Sequence, residues 1–554
     1  MKQQAEIFGI DLGTTNSCIA YADEHGSAVV VPNYEGELTT PSVVQFEGEQ
    51  RIVGKEARQY ALLYPDLVVE RVKHWMGKPG KGHPYQGKTY TPEEISSYIL
   101  RKLASDAQAY LNRPVRDVVI TCPAYFGIAQ REATIKAGEL AGLTVHEVIN
   151  EPTAAAMLYG LLSSPKDQVA IVYDLGGGTF DVTIIEVRNN ALTVVATDGE
   201  SELGGYRWDV KLVEYLDNQW MLETGSNESP ASSGEMSLEL LRLAEEAKKS
   251  LSVRQKTPVM INYTGSRVVI EVTRERFQAL TASLLQRTID VTKATMDAAR
   301  AHGVKRFDQI LLVGGSTRMP QVREQLEAEF HLPIQILEPD LAVAKGAALY
   351  GQKLLVDEVV ERKVGQQRGV SSLAKNGMPV LVESKREAVR QAASEMQRDI
   401  AVVAKAAELQ VVNVASHSFG VVATDMRLRK QVISNIVLVN EPLPVKKTRI
   451  YRTAEEYQAN VEIQVLENSS SEARVEDLMQ GEEIAYAILR LPPRLPQYSP
   501  IEVSFELLRD GRLQITSREP KSGVSIEVEI QAKRSITGNA FRQAKERASK
   551  ITVV

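Results

Sequence analysis

The chain has 554 residues, too many for one hydrophobic core, so two to four domains are expected. Its composition is that of an ordinary globular protein, and a formal charge of −6 argues against nucleic acid as the main partner, because neutralising phosphates needs a basic face. Residues 1–6 run straight into the first strand, no apolar stretch is long enough to span a bilayer, and two cysteines suit a reducing compartment; the expectation is a cytoplasmic protein with no membrane or nucleic-acid partner.

The first informative segment is Asp11-Leu-Gly-Thr-Thr-Asn16, which follows the apolar run Ile7-Phe-Gly-Ile10. Downstream, short apolar runs at Val29–Val31, Val43–Phe46 and Val118–Thr121 alternate with helical stretches at Pro92–Leu111 and Ala129–Ala141, the texture of α/β layers. Then the first motif returns. Val169-Ala-Ile-Val-Tyr173 leads into Asp174-Leu-Gly-Gly-Gly-Thr-Phe-Asp181, which marks an internal duplication and two lobes of similar topology. Strand runs at Val182–Val187, Leu192–Thr197, Val268–Val272 and Gln309–Val313 follow, with helices at Trp208–Leu222, Met236–Leu251 and Glu275–His302. The loop Glu223–Glu235 carries the Gly, Ser, Asn and Pro of a connection.

Beyond residue 356 the pattern changes. Residues 357–382 are polar with glycine and proline breakers. Val389, Ala393, Met396, Ile400, Val403 and Ala407 then form a heptad-type stripe, which predicts one amphipathic helix over 383–409 that packs on a partner or on the chain itself. From Val411 to Ala532 apolar and polar residues alternate in several runs, with Asp510-Gly511 as a hairpin turn, and this predicts a separate antiparallel β-sandwich. Residues 533–554 have room for one short helix carrying Phe541, Ala544, Ala548 and Ile551. The predicted divisions are therefore 1–356, 357–408, 409–533 and 534–554.

An aspartate at a strand end, followed by glycines and a threonine, is a phosphate grip. Glycine lets backbone N–H groups approach an anion, and Asp11 and Asp174 suit a hydrated Mg²⁺, which takes few protein carboxylates. Two such hairpins facing each other would clamp a nucleotide triphosphate between the lobes. A third glycine pair, in Val313-Gly-Gly-Ser-Thr-Arg318, also follows a strand and leads into a helix, where an anion or a ribose edge is favoured. P-loop and dinucleotide-binding glycine patterns are absent, the seven histidines lack zinc-ligand spacing, and no nucleophile elbow occurs. Cys18 and Cys122 read as small packing residues.

Taken together, Asp11–Asn16, Asn150-Glu-Pro-Thr-Ala-Ala-Ala156, Asp174–Asp181, Leu203-Gly-Gly205, Val313–Pro320 and Glu338–Ala348 resemble, in order, the ATPase domain of the DnaK-type heat-shock chaperones. Val412–Gly420 and Ile450–Gln458 are similar to that family's peptide-binding β-domain. The resemblance implies an actin-like, ribonuclease-H-like two-lobed ATPase followed by a β-sandwich. It implies Thr14, Thr15, Gly177, Gly178 and Thr179 on the phosphates, with Gly13, Asn16 and Gly176 in the same turns, and Asp11 and Asp174 on hydrated Mg²⁺. Lys73 matches the lysine near the γ-phosphate and Glu151 the carboxylate that orients water, so Lys73, Glu151, Asp174 and Thr179 are the implied catalytic group. Glu245, Lys248 and Ser252 match one side of the adenosine clamp; Gly314, Gly315, Ser316, Arg318 and Asp340 match the other, with Gly204 and Gly205 between. Read without the family, Glu245 and Lys248 are a surface i,i+3 pair.

In the β-domain, Val421, Tyr451, Val461 and Ile463 match a hydrophobic slot for extended peptide, and Thr424 and Ala454 the loops arching over it. Core packing is the alternative for Val461 and Ile463. The implied function is an ATP-dependent chaperone that binds unfolded or extended polypeptide and is switched by slow hydrolysis, with ATP/ADP, Mg²⁺ and a K⁺ companion ion as cofactors. Co-chaperones and a nucleotide-exchange factor are the implied partners. A filament-forming ATPase of the same fold, a small-molecule kinase and a non-cycling nucleotide-binding scaffold are the alternatives. Three departures from the family stand out: residues 357–408 precede the linker, only one helix is expected where the family has a lid, and Tyr206-Arg-Trp208 replaces acidic residues.

Overall fold

The structure, a computed structural model, describes residues 6–162, 167–188, 191–370, 379–427, 429–509, 511–529 and 538–554. Two sheets of the same design form the first part. In lobe I the strands lie in the order Thr144–Asn150, Asp117–Cys122, Phe8–Asp11, Asn16–Ala22 and Ala28–Val31, parallel across the first three and antiparallel thereafter. Lobe II repeats it with Ile334–Ile336, Gln309–Val313, Gln168–Leu175, Phe180–Arg188 and Ala191–Glu200. Each aspartate motif thus sits at the carboxyl end of a strand that is parallel to one neighbour and hairpinned to the other.

Local signals place the helices. Thr91 caps Pro92–Leu111 in a capping box with Glu94, and proline holds the first helical position, so three start signals coincide. Two helices, Glu151–Leu162 and Ala342–Val370, cross between the lobes. A Cβ at Gly346 would lie 1.6 Å from the Ala154 carbonyl oxygen, so backbone meets backbone at this crossing. The second helix runs on through position 356, past the glycine at 365.

The stripe at 383–409 is not one helix. The chain forms Pro379–Glu395, turns at Gln397 in the left-handed region (φ 49°), and restarts as Ile400–Glu408 with Asp399 accepting from the Ala401 N–H. Ala388, Ala392, Ala393, Met396, Val403 and Ala407 are buried against Val356, Val359 and Val360 of the crossing helix, whereas Ile400 is 52% exposed. The stripe therefore packs within the chain, and the break shifts its phase. Arg398 fixes the turn to lobe I by donating to the carbonyls of Ala22 (3.0 Å) and Asp23 (2.7 Å). The next residues, Gln410–Val412, join the lobe II sheet as a sixth strand, parallel to Ala191–Glu200.

The β-domain is a sandwich of a five-stranded and a four-stranded sheet. Phe419, Val465, Val503, Phe505 and Ile515 fill its centre. Two of its strands carry no clear sequence alternation. Val445–Arg452 is an edge strand whose exposed Lys446 and Lys447 disfavour further strand pairing, while Arg449 turns inward to donate to Ser434, and Glu482–Arg490 leaves Tyr486 and Ile488 exposed. Asp510 lies outside the described residues; beside it, Leu508 and Arg512 pair through their backbones.

After the sandwich, the helix Gly538–Lys550 returns to lobe I. Ala544 and Ala548 are buried, and Arg547 donates to Glu94 at 2.6 Å. Arg101 donates to the carbonyls of Ala548 and Ile551. The strand Thr552–Val553 then pairs in parallel with Gln50–Val53. Ile551 thus lies beyond the helix, and Phe541 has the Lys136 ammonium over its ring.

Candidate functional site

The two aspartate turns meet across the cleft. A Cβ at Gly177 would lie 2.1 Å from Thr15 Oγ1, and one at Gly178 would lie 2.6 Å from Thr14 Cγ2 and from His74 Nε2. Glycine is therefore required where lobe II approaches lobe I. The first turn is closed by the Gly13 N–H on Ser17 Oγ and by Ser42 donating to the Gly13 carbonyl; a Cβ at Gly13 would strike the Asn16 carbonyl at 2.0 Å. In the second, the Gly176 N–H donates to the Thr179 carbonyl. Gly204 backs Gly178, and Ser316 Oγ donates to the Gly176 carbonyl at 2.8 Å.

Around these turns lies a cluster with too much negative charge. Lys73 bonds Glu151 at 2.5 Å, both buried. Burial pushes the Asp11 carboxyl up to about 7, with Glu151 adding repulsion and Lys73 and the Thr121 hydroxyl opposing it. Asp174 and Asp181 are held well above the usual carboxylate range, by burial first and the Glu151 charge second. Lys73 loses proton affinity to burial, but Glu151 and Asp11 outweigh this and its pKa rises. One ammonium cannot balance four carboxylates, and Asp181 Oδ2 is buried without a hydrogen-bond partner. The donor set is all oxygen and fits a hard divalent cation that retains its waters.

Asp181 is a site residue that sequence reasoning leaves without a role. It closes the second motif, is 1% exposed, and accepts from the Ala124 N–H. Its signal was available as the last carboxylate of Asp174–Asp181.

At the other end of the cleft, Glu245 and Lys248 do not pair with each other. Lys248 bonds Asp209 (2.8 Å) and the Gly205 carbonyl (3.0 Å), while Glu245 pairs with Lys249 and, across the lobes, with Arg58. The surface-pair reading is thus wrong, because helix register turns Lys248 inward. Ser252 donates to the Lys248 carbonyl. Arg318 holds Asp340 at 2.6 Å, and Gly314 takes φ 84°, where a Cβ would meet the Leu175 carbonyl at 2.4 Å. A Cβ at Gly315 would meet Asp340 Oδ1 at 2.6 Å, which packs this turn against that carboxylate.

In the β-domain, Val421 and Ile463 are fully buried in the sandwich core, and Tyr451 and Val461 are half-buried beside them. Thr424 and Ala454 are exposed. Cys18 and Cys122 are buried, and burial pushes the Cys122 thiol up to about 11.

A family model described as Hsp70 protein matches residues 7–83, 79–364 and 378–553. The chain is 32% identical over 554 residues to the "Chaperone protein DnaK" of Thermotoga petrophila, covering 98% of this chain and 83% of that one. It is 33% identical, with the same coverage, to the "Chaperone protein DnaK" of Thermotoga neapolitana.

Proposed function

The chain belongs to the Hsp70 family and is an ATP-hydrolysing, ATP-dependent chaperone; from this premise we propose which residues do the work. ATP lies between the lobes. Thr14, Thr15, Gly177, Gly178 and Thr179 hold its phosphates through hydroxyl and N–H groups, and Asp11, Asp174 and Asp181 carry the charge that a hydrated Mg²⁺ offsets. When bound, that ion neutralises charge spreading over the phosphate oxygens. Glu151 orients the attacking water, and Lys73, held by Glu151 at 2.5 Å, supplies a fixed positive charge at the reacting end. Positioning and electrostatics suffice for this reaction, with no covalent intermediate.

Lys248, Ser252, Glu245, Ser316, Arg318 and Asp340 enclose the adenosine. Unfolded or extended polypeptide is the client, held by the β-domain near Tyr451 and Val461 under Thr424 and Ala454. Communication between the two domains would run through Gln410–Val412, part of the lobe II sheet, and through the segment 538–554, whose last strand pairs with lobe I. A shift of one lobe against the other must strain one of these two attachments.

The observation that carries this reading is the contact of the two glycine turns, Thr14 and Thr15 against Gly177 and Gly178, above the Lys73–Glu151 pair. Calorimetry of ATP with the full chain tests it. Uptake in wild type, lost with Asp11→Ala plus Asp174→Ala, is expected; no heat in wild type, or equal heat in the variant, overturns it. ATP turnover with and without an unfolded polypeptide tests the communication, and stimulation is the expected result.

A further inference from the structure

Two residues from different lobes, Arg71 and Tyr206, meet at the cleft. Tyr206 is the second residue of the lobe II helix Gly205–Thr224, directly after the glycine pair that backs the phosphate turn. Its N–H donates to the Gly177 carbonyl at 2.8 Å, which ties its backbone to the phosphate grip. Arg71 stands in lobe I, two residues before Lys73, and caps the short helical turn Val72–Trp75 that presents that lysine. The Arg71 guanidinium carbon lies 3.7 Å from the centroid of the Tyr206 ring. That is well inside the range at which a cation is held by an aromatic face. Both side chains are half-buried, so water screens the attraction only partly.

Arg71 also occupies the left-handed region, at φ 54° and ψ 33°. A non-glycine residue there carries a conformational cost that needs compensation from its surroundings, and such strain concentrates where a segment must be aimed. Among the described residues no carboxylate forms a salt bridge with Arg71; the Tyr206 ring is its close partner. Next to it, His74 of the same turn abuts Gly178 of lobe II. Burial and the Arg71 charge hold His74 down at about 4, so the imidazole is neutral and adds no second cation to the contact.

We propose that Arg71 and Tyr206 form a latch between the lobes at the phosphate end of the cleft, and that its opening limits the release of ADP. The proposal rests on the nucleotide reading above. Thr14, Lys73, Glu151, Asp174 and Thr179 are all buried, so a nucleotide on these groups leaves only when the lobes part. Parting the lobes separates Arg71 from Tyr206. The latch therefore adds to the barrier for exit while leaving the groups that touch the phosphates where they are.

The test is a stopped-flow chase of fluorophore-labelled ADP by unlabelled ATP, using the full chain. Arg71→Asn removes the guanidinium but keeps a residue that tolerates the left-handed region, which preserves the turn carrying Lys73. Tyr206→Leu removes the ring from the other lobe, and Tyr206→Phe keeps its face. Arg71→Asn and Tyr206→Leu are each expected to speed ADP release roughly fivefold. The double variant should be no faster than either single one, and Tyr206→Phe should match wild type. Release at the wild-type rate from both single variants, or effects that multiply in the double variant, overturns the latch. Wild-type protein that takes up no labelled ADP overturns the nucleotide reading instead.

Discussion

The Glu467 carboxylate, on the β-sandwich, lies so close to Gly127 of lobe I that a Cβ there would come within 2.6 Å of both its oxygens. Gly127 precedes the helix Ile128–Leu140, has no side chain to cap it, and leaves the Ile128 N–H to Glu467 at 3.4 Å. A carboxylate from one domain thus caps a helix of the other, with His417 at 3.3 Å on its far side. The loop reaching Gly127 begins at Ala124, whose N–H is on Asp181. Four residues, Ala124 to Gly127, connect the cleft between the lobes to the domain interface.

Gly127 has extended backbone angles that any residue adopts, so only Glu467 forbids a side chain there. Gly127→Ala should leave each domain folded and separate them. A larger radius of gyration by small-angle scattering in the variant checks this, and Glu467→Ala alone should cost about 1 kcal/mol of docking through loss of the cap.

Asp11 gives a pH signature. Its folded pKa is raised from the ordinary carboxylate value to about 7, so between about pH 4 and pH 7 the native state holds a proton that the unfolded state has lost. Nucleotide-free protein should therefore lose stability as pH rises through this window. Asp11→Asn should flatten the slope and raise stability at pH 7.5 by about 1–3 kcal/mol, while weakening Mg·ATP binding. Thermal unfolding at several pH values, with and without Mg·ADP, gives the readout; a steeper slope in the variant would contradict it.

The tail rests on Arg547, which pairs with a Glu94 side chain that is wholly buried. Glu94 also accepts from the Thr91 N–H, so it stays anchored when the tail leaves. Arg547→Ala strands a buried carboxylate, and since Arg547 itself is partly exposed the cost should be about 1–2 kcal/mol, paid by detachment of residues 538–554. The Val53 N–H, which donates to the Val554 carbonyl, should then exchange with deuterium faster. Unchanged protection at Val53 would rule this out.

Two neighbouring positions at the break between the inserted helices should respond in opposite ways. Met396→Glu buries a charge beside Val356 and Ala393 and should destabilise the ATPase domain by about 3 kcal/mol or more. Ile400→Glu alters an exposed site and should stay within about 0.5 kcal/mol of wild type. Native mass should not change in either, since the stripe packs within the chain.

Legibility followed locality. The turns at Asp11, Asp174 and Gly314 could be read because glycine, aspartate and a preceding apolar strand are a local code for backbone that approaches an anion. The long helices could be read because their caps and periodicity are contained within a few turns. Asp181, Asp209 and Arg71 could not be assigned, since what they do depends on groups far away in the chain. The break at Gln397 is not legible in the sequence, because a heptad count carries no information about backbone angle.

The sequence by itself determined the duplicated strand–turn design and the family, both of which follow from residue type at fixed short spacing. Only the tertiary structure decided that the inserted helices cover the crossing helix, that Gln410–Val412 completes the lobe II sheet, and that the tail extends a lobe I sheet. Strand addition is made by backbone groups that every residue carries. Which edge a short segment joins is therefore set by where the rest of the fold brings that edge, and no local pattern encodes it.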